Sequence, residues 1–397
     1  MANDITYIGQ VNYHRDRRRF GIRRDDRLMH IHIIGKTGVG KSTLLRHMAL
    51  QDYAGGEGFA LIDPHGDLVE ELHQEGRRLG LHEAIYLDAA DPEQPYGYNP
   101  LRQVRPEFIP LAASGLLEVL KKMWADAWGV RMEHILRNCL YALLEQPDAT
   151  LSDIGRLLND RSYRKQIASS LANEAVRRFW TSEFDRYSFG YRADGAAAIQ
   201  NKVGAFLADP LIRRILTEPK EPISLRRIMD EGKVLLVNLS KGRIGEDSAA
   251  LLGGLLVTTI GLAAFSRADS EPADRRDFFV YLDEFQTWTT LAVANMLSEL
   301  RKYRVGLTLA HQYLHQLDPD IRHAVLGNAA TLIVFRVGAE DASYVGRELL
   351  GAVDERDLQS LENRHMFVRL LVNGEPCKPF SAVTSSRAGP RGGESSW

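Results

Sequence analysis

The chain has 397 residues, which suggests about two domains. Its 44% hydrophobic and 26% charged content is that of an ordinary soluble globular protein. The net charge of −2 lends no compositional support to a nucleic-acid role, yet leaves one open, because a ring can confine positive charge to a channel.

Residues 1–28 carry short strand-like pieces and an arginine-rich run from Arg15 to Arg27, interrupted by Asp16, Asp25 and Asp26. Such a run reads as a solvated, internally paired surface. A phosphate-contacting or subunit-contacting edge is the sharper alternative. Met29–Ile34 is a short β-branched run that reads as a buried strand.

Gly35-Lys36-Thr37-Gly38-Val39-Gly40-Lys41-Ser42 then fits G-x-x-x-x-G-K-[ST] at every fixed position. Leu44, Leu45, Met48 and Ala49 follow at helical spacing, so the order is strand, glycine loop, helix. Glycines let successive N–H groups curl around one anion, and the helix adds its positive end. Gly35, Thr37, Gly38, Val39, Gly40, Lys41, Ser42 and Thr43 are the expected nucleotide-binding residues. Lys41 would reach the β- and γ-phosphates, and Ser42 would hold Mg²⁺.

Phe59–Asp63 is a second buried strand. Asp63-Pro64-His65-Gly66-Asp67 breaks it and caps a helix from about Leu68 to Leu79. Ala84–Asp88 is a third strand, and Asp91-Pro92, Gln94-Pro95 and Asn99-Pro100 make a turn-rich crossing. Strands alternating with helices argue for a mainly parallel, doubly wound α/β sheet.

From about 106 to 229 helical periodicity dominates and no convincing strand appears, as in Leu116, Leu117, Leu120 and then Ile135, Leu136, Cys139, Leu140. This reads as an all-helical insertion. Cys139 and Cys377 are far apart and give neither a disulfide framework nor a zinc spacing. The 12 histidines form no ligand motif, so the expected metal is Mg²⁺ brought by the nucleotide.

Lys233–Leu239 returns to a buried strand, followed by a polar glycine loop, Ser240–Gly245. Lys241 and Arg243 in that loop are candidates for facing a pore, with an ordinary surface loop as the equal alternative. Ala249–Phe265 is the longest apolar stretch. Glycines and threonines break it well short of the roughly 18 apolar residues of a membrane span, so it reads as a core helix. With a polar N-terminus and no signal-peptide pattern, a cytoplasmic protein is expected, docking at the inner face of a membrane only through a partner.

Phe278–Leu282 followed by Asp283-Glu284 is the Walker B arrangement. Asp283 would hold Mg²⁺, and Glu284 would polarise the attacking water as general base. Two solvated acids at a strand end are common, but strands of one parallel sheet put this pair and the glycine loop on the same edge. The extra glutamate, with no guanine-reading motif, points to an ATPase. A helix is expected from about Leu291 to Tyr303, then strands at Val305–Ala310 and Ala330–Arg336. Gln312 at a strand end is either a γ-phosphate sensor or a solvated amide. Arg301, Lys302 and Arg304 suit a helix C-terminus; Arg301 could also be an arginine finger for a neighbouring subunit, with Arg336 the other candidate. Val372-Asn373-Gly374-Glu375 signals a hairpin, and the Ser/Gly/Arg-rich residues 385–397 read as a disordered tail.

Gly35–Leu45, Ile62–Leu68, Tyr281–Phe285, Arg301–Tyr303 with Ala310-His311-Gln312, and Gly327-Asn328-Ala329 together resemble the FtsK–HerA superfamily of DNA-pumping ATPases. Within it the chain is most similar to the TraG/TraD-type conjugative coupling proteins of type IV secretion. Phe20-Gly21-Ile22, Asn99-Pro100-Leu101 and the helical insertion carry that likeness over about residues 18–385.

The resemblance implies a RecA-like P-loop NTPase core over 29–105 and 230–384. An all-α domain at 106–229 is inserted into it, and a strand and basic segment at 1–28 precedes it. It implies a homohexamer with Mg²⁺–ATP between subunits and DNA in the channel, gripped through its backbone without regard to sequence. Relaxase or type IV secretion components are the implied partners. Carried over by position, Lys41 and Ser42 bind phosphate and Mg²⁺, Asp283 and Glu284 are the Walker B pair, Gln312 is the sensor, and Arg301 matches the finger acting in trans. The membrane helices usual in such coupling proteins are not matched. A protein-export motor and a nucleotide-gated scaffold are the alternatives.

Overall fold

Short β-branched and aromatic runs build one 11-stranded sheet in the computed structural model, which describes residues 4–13, 17–102 and 104–384. In chain order the strands are β1 (Ile5–Val11), β2 (Arg19–Arg23), β3 (Ile31–Ile34), β4 (Gly58–Asp63), β5 (Ile85–Asp88), β6 (Val234–Asn238), β7 (Phe278–Leu282), β8 (Val305–His311), β9 (Thr331–Val334), β10 (His365–Arg369) and β11 (Phe380–Thr384). Their spatial order is β2-β1-β11-β10-β9-β3-β8-β7-β4-β6-β5. Every pairing from β9 to β5 is parallel. Apart from the half-buried edge strand β5, those strands are buried on both faces and are largely apolar, as central parallel strands are. From β9 to β2 the pairings are antiparallel.

Among the helices, those that frame the site and the helical block are α1 (Lys41–Gly55), α2 (Asp67–Arg78), α3 (Ile109–Met123), α4 (Val130–Leu144), α5 (Phe189–Leu207), α6 (Glu246–Ser266) and α7 (Leu291–Leu300). One core layer, against α1 and α2, holds Leu45, Met48, Phe59 and Tyr281. The other holds Val280 and Leu282 from the sheet, Leu252 and Leu256 of α6, Leu297 of α7, and Leu116 and Leu120 of α3. It continues without a break into Ile135, Leu140 and Trp180 of the helical block. Contrary to the expectation that no run is long enough, Glu246–Asp269 holds an 18-residue window apolar enough to cross a bilayer, but 78% of that window is buried inside the fold. It is a core helix, as its interrupted apolar run suggests.

Several expectations are corrected in detail. The strand expected from Met29 begins at Ile31, because His30 sits at φ 64° in the left-handed region. The helix expected to reach Tyr303 ends at Leu300 and tightens into a 3-10 turn over Arg301–Tyr303. The strand expected to end at Arg336 stops at Val334. A two-residue parallel ladder, Tyr96–Gly97 with Glu221–Pro222, lies partly within the stretch read as free of strands.

The arginine-rich segment is not simply solvated: Arg27 is buried, pairs with Asp52 at 2.7 Å and lies 3.5 Å over the Phe279 ring. Part of that run (14–16) and the expected tail (385–397) lie outside the described residues. Asn373 and Gly374 both have positive φ and close the expected hairpin, their N–H groups donating to the Asp26 carboxylate.

Candidate nucleotide-hydrolysing site

Parallel strands place all their carboxyl-end loops on one edge of the sheet, and the candidate residues leave from those loops. After β3 the chain turns through Gly38 (φ 75°) and Gly40 (φ 119°) into α1. Gly35 has no room for a side chain: a Cβ there would lie 2.6 Å from the Phe335 Cβ. The loop is pinned to β8 and to the segment just past β9. The Gly35 N–H donates to the His311 carbonyl at 3.3 Å, and the Lys36 N–H to the Arg336 carbonyl at 2.9 Å.

Thr37, Gly38, Gly40, Lys41, Ser42 and Thr43 line a cavity of about 370 Å³. Asp283, Glu284, Gln312 and His65 line it too. Val39 is buried beneath the loop and does not line it. Lys41 donates to the carbonyls of its own loop, Gly35 at 2.6 Å and Lys36 at 3.0 Å. Burial lowers its pKa, against the attraction of Asp283 and Glu284. A buried ammonium held by its own loop's carbonyls would find a stronger partner in a phosphate anion. The Ser42 hydroxyl donates to Asp283 Oδ2 at 3.0 Å, so the two side chains expected to flank Mg²⁺ already meet. Burial raises the Asp283 carboxyl and Asp63 adds to the shift, an arrangement a divalent cation would relieve. The residues present therefore fit a Mg²⁺–nucleotide.

Glu284 sits at φ 47°, a conformation that persists in a non-glycine residue only when its surroundings fix it. Its Oε1 contacts His65 Nε2 at 3.0 Å and accepts from the Gln312 amide at 3.3 Å. Its Oε2 accepts from Lys241 Nζ at 2.8 Å. Thr37 in turn donates to Gln312 Oε1 at 3.0 Å, closing a network from the glycine loop to the carboxylate. Burial alone would raise the Glu284 carboxyl, but the Lys241 and His65 contacts outweigh it and hold it below its ordinary value.

Lys241 thus leaves the expected open loop, which is a one-turn helix (Lys241–Ile244) entered through Ser240 at φ 38°, and turns into this site. Arg243 lies farther out, donating to the Ala90 carbonyl at 3.3 Å. His65 follows β4 at the same edge, a position that strand-end logic could have flagged. Asn363 and Arg364 line the cavity from the loop before β10. The Arg364 N–H donates to the Val39 carbonyl at 2.7 Å, and no local motif marks it.

The other arginines separate. Arg336 is bound to the Leu361 carbonyl and Asn363 at 2.9 Å each. Arg301 precedes β8 and so sits at the amino edge of the sheet, away from its own glycine loop. It is exposed, and among the described residues it forms no ion pair.

The type IV secretion-system coupling protein DNA-binding domain family matches residues 21–363. The chain belongs to that family. The coupling-protein fold is seen directly in solved structures. The conjugative coupling protein TrwBdeltaN70 in its unbound monoclinic form is 16% identical, with a TM-score of 0.65 over 96% of this chain and 89% of that one. TrwB in complex with ADP and Mg²⁺ is 18% identical, with a TM-score of 0.62 over 97% and 91%. VirB4 of Thermoanaerobacter pseudethanolicus is 12% identical, with a TM-score of 0.64 over 96% of each chain. At these identities the likeness is one of fold. No curated protein matches the sequence.

Proposed function

We propose that this coupling-protein family member is an ATP-driven motor that moves DNA, working as a homohexameric ring during transfer or processing of mobile elements. The observation that carries the reading is the convergence of Lys41, Ser42, Asp283 and Glu284 on one cleft, with Arg301 at the opposite edge. Family membership supports DNA as the cargo.

Bound Mg²⁺–ATP would supply the phosphoanhydride and the cation that neutralises developing charge. Lys41 would exchange its two loop carbonyls for phosphate oxygens. Ser42 and Asp283 would hold the cation. Glu284 would accept the proton of the attacking water once Lys241 and His65 no longer saturate its oxygens. Gln312, linked to both Thr37 and Glu284, would sense the state of the site. The division into a RecA-like domain (29–105 and 230–384) and an all-α insertion (106–229) belongs to this proposal. So do a relaxase or secretion component as partner and docking at a membrane through it.

The test is ATP turnover of the full chain with and without DNA at low and high salt. Turnover should rise with DNA, and the rise should fade with salt, because phosphate contacts release counterions. Turnover indifferent to every form of DNA at low salt would favour the protein-export alternative.

A further inference from the structure

The catalytic carboxylate is reached from the helical block as well as from the sheet. Between Glu284 and α7 lie a one-turn helix (Phe285–Trp288) and the buried pair Thr289–Thr290. Lys122, in the last turn of α3, donates to three carbonyls in and just after that one-turn helix. They are the carbonyls of Gln286 at 2.7 Å, Thr287 at 3.1 Å and Thr289 at 2.9 Å. An ammonium has three donors, and all three are used. One turn earlier on the same face of α3, Glu118 accepts from the Ala292 N–H at 2.7 Å, at the start of α7. A single helix therefore clasps the segment from both ends.

The clasped segment leads rigidly to the Walker B pair. The Thr287 N–H donates to the Glu284 carbonyl at 2.8 Å. Trp288 is fully buried, and its indole N–H donates to the Asp283 carbonyl at 2.7 Å. The space for Trp288 exists only because position 253 of α6 is glycine: a Cβ there would lie 2.2 Å from the ring. Glu284 itself is held at φ 47°, which the surroundings must enforce. A lysine at the end of a short helix commonly does no more than satisfy its last carbonyls. Here those carbonyls belong to residues soon after the base, and the lysine comes from α3, which packs against α4 of the helical block and also against α6 and α7.

We propose that Lys122, assisted by Glu118, is a positioning residue for Glu284, through which α3 sets the posture of the catalytic carboxylate and links it to the helical block. This rests on the reading of Glu284 as the hydrolytic base.

The experiment is steady-state ATP hydrolysis by the full chain, alongside affinity for a non-hydrolysable ATP analogue and the thermal midpoint. Lys122→Met should lower kcat about tenfold or more, with analogue affinity and midpoint near wild type. Lys122→Arg, which keeps donors for the carbonyls, should restore much of the loss. Glu118→Ala should lower kcat in the same manner but less. Unchanged kcat in Lys122→Met, or a loss carried by analogue affinity or by unfolding, overturns the proposal. So does failure of arginine to restore turnover. Glu284→Gln run in parallel tests the underlying reading separately: wild-type turnover there would remove Glu284 as base, whatever Lys122→Met does.

Discussion

Lys241 Nζ donates to Glu284 Oε2 at 2.8 Å, joining the ends of β6 and β7, which are not neighbours but lie on either side of β4. Burial of Glu284 pushes its carboxyl up, and Lys241 and His65 pull it down further than burial raises it. Lys241→Met removes the larger of those two opposing contacts, so the Glu284 pKa rises. The acid limb of kcat/KM for ATP, which reports the base in the free enzyme, should then move to higher pH. Lys241→Arg should leave it near its original position. Profiles measured between pH 5 and pH 8 decide this, and a limb unmoved in Lys241→Met would mean that the contact plays no part in setting the base.

That contact also shows where sequence reasoning stops. The glycine loop and the Asp283-Glu284 pair were legible because each is a local pattern with a fixed strand before it, and parallel topology brings them together. Lys241 was legible as a loop residue facing either a pore or the surface, not as a partner of Glu284. Its direction depends on strand order, which places β6 one strand beyond β7's neighbour β4. Arg364 was illegible for the same reason, since its approach to Val39 follows from the return of the chain through β10. The burial of Arg27 is a third case: charge pattern alone does not reveal that Asp52 and Tyr281 wait inside the fold.

Lys41 is buried with only neutral carbonyls of its own loop as hydrogen-bond partners in the free site. Nucleotide binding should therefore stabilise the fold. With Mg²⁺–ATP at about 100 times its Kd the gain is about 2.7 kcal/mol by mass action. Lys41→Ala should lose this rise in thermal midpoint. Ser42→Ala should keep part of it and lose its dependence on Mg²⁺. Thermal melts with and without nucleotide, at fixed Mg²⁺ and in chelator, measure both. A full ligand-induced shift in Lys41→Ala would show that the loop is not where the phosphates sit.

Gly253 sits in α6 where a Cβ would meet the Trp288 ring at 2.2 Å, and Trp288 is tied to the Asp283 carbonyl. The ring cannot move away without displacing the Walker B loop. Gly253→Ala should therefore cost about 1–3 kcal/mol through overpacking, although alanine is the better helix former. It should also depress turnover beyond that cost. Urea midpoints and kcat, compared with Gly242→Ala, where a Cβ meets open space, separate the two effects.

His32 and His311 stack in the core with their Nε2 atoms 2.6 Å apart. The Tyr313 carbonyl, 3.2 Å from His311 Nδ1, only accepts. His311 therefore carries its proton on Nδ1, and its Nε2 accepts from His32. Nearby, His30 Nδ1 accepts from the Leu307 N–H at 3.0 Å, and its Nε2 donates to the Leu297 carbonyl at 2.8 Å. Burial pushes His30 and His311 down to about 4 and His32 well below its ordinary value. The unfolded chain, with histidines near 6.5, then binds more protons than the fold as pH falls. Stability from these groups is full above about 6.5 and is lost progressively toward about 4. At pH 5 a large part of that stability should already be gone. Urea denaturation should show a lower midpoint at pH 5 than at pH 7, with a shallower fall in His311→Gln. An identical pH slope in that variant would trace the acid sensitivity to other groups.

Arg301 sits on the amino edge of the sheet, while Lys41 and Glu284 sit on the carboxyl edge. One chain cannot bring the two together, because the length of β8 lies between them. A head-to-tail ring, as proposed, would do so by setting one subunit's amino edge against the next subunit's cleft. Neighbouring Lys302 is already paired with Glu299 at 2.5 Å, which leaves Arg301 as the cation of that turn without an ion pair among the described residues. Arg301→Ala should abolish turnover while leaving nucleotide affinity unchanged. Mixed with Lys41→Ala subunits, which bind no nucleotide but keep their arginine, it should regain part of the activity, since some interfaces then hold one intact cleft and one intact finger. If Arg301 only complements the dipole of α7, the variant should turn over like wild type and lose no more than about 1 kcal/mol of stability. Mixed rings that stay silent at every ratio would place the missing cation elsewhere.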